Sequence, residues 1–103
     1  MRIHHDHPGH AADFVRLVGA WLGASAWGLE DADHALLRDP MRIVREGGSI
    51  LSLARGDDVV GVCALFRDGG QRIQLARMTV LERERGQGHG GRLLVAALER
   101  ARQ

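Results

Sequence analysis

Four glycines stand within six residues near the carboxyl end of the chain, in the segment RERGQGHGGRLL from Arg83 to Leu94. Ordering a glycine costs more backbone entropy than ordering any other residue, so a cluster of glycines needs a reason. Glycines let several backbone N–H groups converge on one anion, and they leave room for a phosphate to approach the main chain. The segment therefore predicts a phosphate-binding loop.

The distribution of charge favours an anionic ligand at this end of the chain. All fourteen basic residues are arginine. Residues 1–71 carry seven arginines and ten acidic residues, a net charge of −3, whereas residues 72–103 carry seven arginines and three glutamates, a net charge of +4. Positive charge concentrated beside the glycines indicates a local anion site and argues against a nucleic-acid partner bound over the whole protein.

Two common phosphate-binding patterns do not fit the segment. A P-loop requires a lysine and then Ser or Thr after its last glycine, but Arg92 stands in that place. The dinucleotide pattern G-x-G-x-x-G is present as Gly86, Gly88 and Gly91. That pattern requires a turn directly off a strand and a second, acid-bearing strand further on. Here LERE separates the strand from the glycines, and only twelve residues follow the last of them.

Apolar residues at helical spacing predict a helix near each end of the chain. The buried face of the first helix, in FVRLVGAWL, is expected to consist of Phe14, Leu17, Val18, Trp21 and Leu22. The buried face of the last helix, in GRLLVAALERAR, is expected to consist of Leu94, Ala97, Leu98 and Ala101. A weaker helix is expected from about Asp31 to Arg38, ending near Pro40.

Three further segments predict strands between these helices. SILSLA and VVGVCALF form a strand pair, and the turn residues of RGDD between them predict a hairpin. RIQLARMTV alternates and predicts a third strand, which leads into the glycine loop. A short strand from Arg2 to His5 is a weaker candidate. The expected fold is one α/β domain over residues 1–103, with the glycine loop between a strand and a helix.

The loop and its flanking elements resemble the GNAT family of acetyl-CoA-dependent N-acetyltransferases. Arg85, Gly88 and Gly90 match the pattern R-x-x-G-x-G, which lies between the strand LARMTV and the last helix. The strand pair, with Gly61 in its second member, and the first helix resemble the earlier part of the same fold. The resemblance covers nearly the whole chain and implies a mixed, mostly antiparallel sheet flanked by helices.

The resemblance implies acetyl transfer from acetyl-CoA, as cosubstrate, to an amine of a small molecule or a peptide. It implies that Met78, Thr79 and Val80 pair through their backbone with the pantetheine arm, and that a backbone N–H near Met78 or Val80 stabilises the thioester oxyanion. It also implies that the coenzyme pyrophosphate is held by backbone groups of the loop, namely those of Arg85, Gly86, Gln87, Gly88, His89, Gly90 and Gly91.

The sequence departs from the family pattern where protons would be transferred. Related sequences read E-L-A-K-M-A-V in the central strand, whereas this chain has Gln74 and Arg77 in place of the acid and the lysine. Gln74 cannot act as a carboxylate base. The chain contains no tyrosine, the residue that often protonates the leaving thiolate in the family, and it stops at Gln103, before the family's last strands and helix. No general acid or base is therefore assigned.

The chain is accordingly expected to represent the amino-terminal two thirds of such a domain: a truncated piece, a degenerate gene product or a half completed by another chain. The alternative function is a non-catalytic remnant that binds CoA weakly or serves as an assembly partner. RIQLARMTV would then form an open edge, which is prone to pair with a second chain, so a homodimer or a domain-swapped assembly is expected. No apolar run reaches membrane length, the start lacks a signal-peptide pattern, and one cysteine fits a reducing compartment; a cytoplasmic protein without a membrane partner is expected.

Other residues that could carry chemistry have simpler interpretations. HHDHPGH contains His4, His5, His7, His10 and Asp6, but successive strand residues point to opposite faces, and no metal site is expected. Cys63 lies in an apolar run and is expected to be a buried structural thiol. Glu30, near Trp27, could meet a cationic amine, although helix capping is the simpler role. Glu82 and Glu84 are expected to be exposed.

Overall fold

Apolar and alternating segments build a four-stranded antiparallel sheet at the centre of the fold. The computed structural model describes residues 1–23, 31–67 and 72–102. Its strands are β1 (Arg2–His5), β2 (Ser49–Arg55), β3 (Asp58–Arg67) and β4 (Ile73–Val80). They pair in chain order, β1-β2-β3-β4. The three main predicted strands, the hairpin at RGDD and the weaker first strand are confirmed.

Helices cover both faces of this sheet. They are α1 (Ala11–Gly23), α2 (Asp31–Arg38), α3 (Arg42–Arg45) and α4 (His89–Ala101), and short 3₁₀ turns lie at Pro8–His10 and Glu82–Glu84. The weaker predicted helix is confirmed as α2, whereas α3 was not predicted. Within the described ranges, none of the helices is long and apolar enough to cross a membrane.

The central strands are buried on both faces, which explains why their apolar runs do not alternate with polar residues. The face towards α1 holds Ile50, Val59 and Val62, packed against Phe14 of that helix. The opposite face, towards α4, holds β2 and β3 residues packed against the helix, namely Leu51, Leu53, Val60, Cys63 and Leu65. Cys63 is therefore a buried thiol, as expected, and burial raises its pKa to about 12.

Trp21 does not lie in the core, so that part of the prediction for α1 is wrong. The other four residues of the predicted face, Phe14, Leu17, Val18 and Leu22, are buried, but Trp21 is 44% exposed. Its ring lies beside an open cavity at the end of β4 instead of over the sheet. Helical spacing fixes the side of α1 on which Trp21 stands, but not how far along the helix the sheet continues beneath it.

The buried face of α4 also differs from the prediction. Leu93 and Ala97 are fully buried, whereas Leu94 and Leu98 are 41% and 53% exposed. The run LLVAAL is apolar on several sides of the helix, so periodicity alone could not choose the contact face. The sheet makes the choice, because the missing side chain of Gly61 in β3 leaves the space that Leu93 occupies; a Cβ there would stand 3.0 Å from Leu93 Cδ1.

Two glycine substitutions test the packing in opposite directions. A Cβ at Gly48 would collide with the backbone carbonyl oxygen of Leu65, which the sheet holds in place. Gly48→Ala is therefore expected to lower the free energy of unfolding by about 1–3 kcal/mol. In α1, a Cβ at Gly19 would make an ordinary contact, 3.7 Å from Leu37 Cδ1. Gly19→Ala should raise stability by up to about 1 kcal/mol, because alanine favours helix. Urea denaturation measures both, and equal stabilities would contradict the packing described.

Candidate functional site

A β-bulge interrupts β4 in the middle of its pairing with β3. Val62 pairs with Thr79 and Ala64 with Ala76, so that two residues of β4 stand opposite Cys63 alone. One of them, Arg77, has φ of +57°, a left-handed conformation that costs a non-glycine residue about 1–3 kcal/mol. Bulges of this kind redirect backbone groups and are frequent next to functional sites. The other residue of the bulge is Met78, the first of the predicted pantetheine-binding residues Met78–Val80.

The predicted glycine loop lies between the Glu82–Glu84 turn and α4. Gly86 and Gly88 have φ of +80° and +83°, which explains why these two positions are glycine. No atom lies within 4 Å of where a Cβ would stand at either position, so the backbone is open to an approaching group. Gly88 is the N-cap of α4 and offers no side-chain cap. The first N–H groups of the helix therefore need an acceptor from elsewhere.

The helix begins at His89, two residues earlier than GRLLVAALERAR predicts. Gly90 and Gly91 consequently lie in the first helical turn, not in the loop before it. A Cβ at either residue would meet nothing within 4 Å. The backbone is thus bare on both sides of the point where the loop becomes a helix, and the helix dipole adds positive potential there.

An open cavity of about 400 Å³ joins the end of β4 to the glycine loop and the first turn of α4. It is lined by Trp21, Met78, Thr79, Val80, Glu84, Arg85, Gly86, Gly88, His89 and Gly90. Eight of the ten residues predicted for coenzyme binding thus lie around one space. The other two lie elsewhere: Gln87 is exposed on the loop, and Gly91 borders a separate depression beside Ile3.

The two arginines before the loop are placed differently. Arg83 pairs with Asp58 at 2.9 Å on the surface, so its charge is compensated. Arg85 lines the cavity, and its Nε donates a hydrogen bond of 3.0 Å to the carbonyl oxygen of Val80. The arginine of the R-x-x-G-x-G pattern is therefore the one held against the end of β4, where it adds positive charge to the cavity.

Glu84 is buried, which corrects the expectation that it is exposed; Glu82 is exposed as expected. Glu84 is only 6% exposed and forms part of the cavity wall. Arg55, at the end of β2, donates hydrogen bonds from its two terminal nitrogens to the two carboxylate oxygens, at 2.7 and 3.4 Å. These hydrogen bonds are the main reason that the pKa of the Glu84 carboxyl lies below its usual value.

The His89 side chain is a second feature that the sequence did not reveal, since only its backbone was predicted to bind. The residue is 8% exposed, lines the cavity, and has Nε2 3.4 Å from Glu84 Oε2. That contact lacks hydrogen-bond geometry, and neither ring nitrogen has a hydrogen-bond partner among the described residues. Buried polar groups are nearly always hydrogen-bonded, so this imidazole is suited to meet a ligand or water in the cavity.

The remaining candidates lie away from the cavity. The rings of His4, His7 and His10 stand 4.1–5.4 Å apart between centroids. His10 Nδ1 is hydrogen-bonded to Ser52 Oγ, and His7 Nδ1 accepts a hydrogen bond from the Gly9 N–H. In the part of the chain that the structure describes, no three His, Cys, Asp or Glu residues are arranged to hold a metal ion. Gln74 is exposed on β4, and Trp27 and Glu30 lie outside the described residues.

A bulged strand, a glycine loop and a helix N-terminus thus surround one cavity. The family model described as the acetyltransferase (GNAT) family matches residues 15–103. The chain therefore belongs to the GNAT acetyltransferase family, as the resemblance implied. A search of the curated proteins finds no match.

Solved structures show the same fold at low sequence identity. A GNAT-family acetyltransferase of Staphylococcus aureus Mu50 superposes with a TM-score of 0.80 at 15% identity, covering 98% of this chain and 65% of that one. A ribosomal-protein-alanine N-acetyltransferase of Brucella melitensis gives a TM-score of 0.74 at 20% identity, covering 99% of this chain and 67% of that one. The PaiA N-acetyltransferase of Thermoplasma acidophilum, in complex with coenzyme A, gives a TM-score of 0.69 at 13% identity, covering 99% of this chain and 73% of that one. The predicted fold class is confirmed, and the chain spans about two thirds of the length of these structures.

The Arg55–Glu84 pair predicts a specific pH dependence of stability. Because the native pKa of Glu84 is lowered, its ionised form contributes stability above the unfolded pKa, and this contribution disappears as the pH falls through the native pKa. Glu84→Gln, which mimics the protonated carboxyl, should therefore be less stable than the parent chain at pH 7. The difference in urea midpoint between Glu84→Gln and the parent chain should shrink as the pH falls from 5 to 3. A difference that stays constant over this range would show that Glu84 does not titrate as described.

Proposed function

We propose that this chain binds acetyl-CoA in the cavity beside β4 and presents the acetyl thioester to an amine acceptor. The observation that carries the proposal is the single space shared by the end of β4, the glycine loop and the first turn of α4. The coenzyme has an anionic diphosphate at one end and an amide-rich pantetheine arm at the other. The cavity offers backbone N–H groups at one end and an open strand edge at the other.

The diphosphate would be held by the loop and the helix N-terminus. Gly86 and Gly88 leave the main chain uncovered, and the first N–H groups of α4 point outward without a capping side chain. Arg85 adds a fixed positive charge on the same wall. Backbone groups supply the hydrogen bonds, so the sequence needs glycine at these positions more than it needs any particular polar side chain.

The pantetheine arm would pair with the outer edge of β4. The Leu81 N–H donates to the Val60 carbonyl oxygen of β3. Because backbone groups alternate along a strand, the N–H of Val80 points away from β3. The arm can therefore add to β4 as a further strand would. An outward N–H next to the bulge is also available to the thioester oxygen.

Acetyl transfer at this position needs attack by a neutral amine. The amine nitrogen forms a bond to the thioester carbon, negative charge collects on the carbonyl oxygen, and the carbon–sulfur bond breaks as the thiolate leaves. The proton lost by the amine is returned to the sulfur. Glu84 is paired with Arg55 at the loop end of the cavity, and Gln74 carries no ionisable group. We propose water as the proton carrier.

The glycine loop can be tested by a matched pair of substitutions. Gly88→Val is expected to weaken coenzyme A binding by at least about tenfold, or ~1.4 kcal/mol, because a branched side chain would occupy the space of the phosphate. Gly56, in the β2–β3 turn, also has positive φ and open space around its Cβ position. Gly56→Val therefore reproduces the backbone strain away from the cavity. Calorimetric titration with coenzyme A compares the two, and equal losses would contradict the assignment.

Transfer itself is tested by thiol release from acetyl-CoA with a panel of amines. Amine-dependent release that Gly88→Val abolishes would support acetyl transfer by this chain. Coenzyme binding without amine-dependent release would favour the alternative of a non-catalytic coenzyme-binding protein. The acceptor class follows from which amines, small or peptidic, accelerate release.

We also propose that the chain forms a homodimer with the apolar side of β4 at the interface. Among the described residues β4 pairs with β3 alone, and Leu75 is exposed on it. Leu75→Lys should shift the chain to monomer at micromolar concentration, because a charge on such a surface opposes pairing. Gln74→Lys adds the same charge on the other side of the strand and should leave the dimer intact. Sedimentation velocity measures both, and a monomeric parent chain would overturn the proposal.

A further inference from the structure

A buried carboxylate stands in the wall of a cavity proposed to hold two phosphates. Glu84 borders the cavity together with Gly86 and Gly88 of the loop. A negative charge at this short range from a diphosphate opposes its binding, most strongly where water is excluded. A site for an anion therefore requires that this charge be neutralised by a group that does not itself occupy the cavity.

Arg55 can neutralise Glu84 from outside the cavity. Its two terminal nitrogens hold the two oxygens of Glu84, at 2.7 and 3.4 Å, from the side of the β2–β3 hairpin. Arg55 is not part of the cavity wall. The imidazole of His89 approaches the same carboxylate from the helix side, with its own ring nitrogens lacking hydrogen-bond partners among the described residues. The carboxylate is thus enclosed between a guanidinium and an imidazole.

We propose that Arg55 is a positioning residue of the coenzyme site, acting through Glu84. It neutralises the carboxylate and draws it towards the hairpin, so that the N–H groups of the loop, and not a negative charge, face the diphosphate. His89 completes the enclosure on the helix side. The inference rests on the proposed binding of the coenzyme diphosphate at this loop.

An electrostatic role and a merely structural role of the Arg55–Glu84 pair predict different changes in the affinity for coenzyme A. If the pair only stabilised the fold, removing either partner would break the same contact and affect coenzyme binding in the same direction. If Arg55 compensates Glu84, removing Arg55 exposes a negative charge to the diphosphate, whereas removing the charge of Glu84 leaves an uncompensated positive charge nearby. The two changes then move the affinity for coenzyme A in opposite directions.

The experiment is calorimetric titration of the full chain and its variants with coenzyme A and with pantetheine, which lacks phosphate. Arg55→Met is expected to lower coenzyme A affinity about three- to tenfold, and Glu84→Gln to raise it by a similar factor. The double variant should return to within about twofold of the parent chain, because neither charge remains. Pantetheine affinity should stay unchanged throughout.

Arg83→Met is the matched control for the loss of an arginine. It likewise removes one positive charge, but the Arg83 side chain is paired with Asp58 on the surface, whereas Glu84 is paired with Arg55. Its effect on coenzyme A affinity should stay within about twofold. A loss as large as that of Arg55→Met would show that net charge, not the contact with Glu84, controls binding, and would overturn the proposal.

Each remaining outcome has one meaning. Unchanged or lower coenzyme A affinity in Glu84→Gln overturns the role of Arg55 but leaves the proposed function standing. A loss of pantetheine affinity in Arg55→Met as large as its loss of coenzyme A affinity has the same meaning. A parent chain that binds no coenzyme A overturns both the proposed function and this inference. Thermal unfolding checks each variant, and if Arg55→Met does not fold, the direction of the change in Glu84→Gln decides alone.

Discussion

The hydrogen-bonding requirement of the first turn of α4 is the constraint on which the rest of the site depends. These N–H groups have no partner within the helix, and Gly88 provides no side-chain cap. The packing of Leu93 over Gly61 fixes the helix on the sheet, so its N-terminus is held beside the end of β4. The left-handed glycines then let the chain reach that point without covering it. Core packing at Leu93 and Gly61 thus determines where the uncapped N–H groups of α4 lie.

The sequence was a good guide where the determining interactions are local. Glycines between a strand and a helix mark the loop because both flanking patterns are legible in adjacent residues, and the strand pair follows from turn residues at RGDD. Trp21 and the face of α4 were mispredicted for a different reason. Helical spacing gives the angular position of a side chain, but whether Trp21 or Leu94 meets the sheet depends on the sheet's extent and on a gap at Gly61, both set by distant parts of the chain.

The charges around the cavity were also mispredicted because their partners are distant in the sequence. Glu84 was expected to be exposed because a glutamate in a loop normally is, and its partner Arg55 lies 29 residues earlier. The buried imidazole of His89 depends in turn on where α4 starts. The bulge at Arg77 was not predicted either, since RIQLARMTV alternates without interruption. Two residues face one across the ladder only because β3 holds both ends of β4 in register.

The position of Cys63 bears on the fate of an activated acetyl group. A cysteine thiolate attacks thioesters readily, and an acetyl group captured in this way would be lost to amines. Cys63 stands across the sheet ladder from the bulge, but its burial raises the pKa of the thiol to about 12, so the sulfur stays protonated at neutral pH. The thiol is therefore unreactive as a nucleophile, although it lies beside a strand proposed to bind a thioester. Under the proposed function, burial of Cys63 keeps this thiol from competing with the amine for the acetyl group.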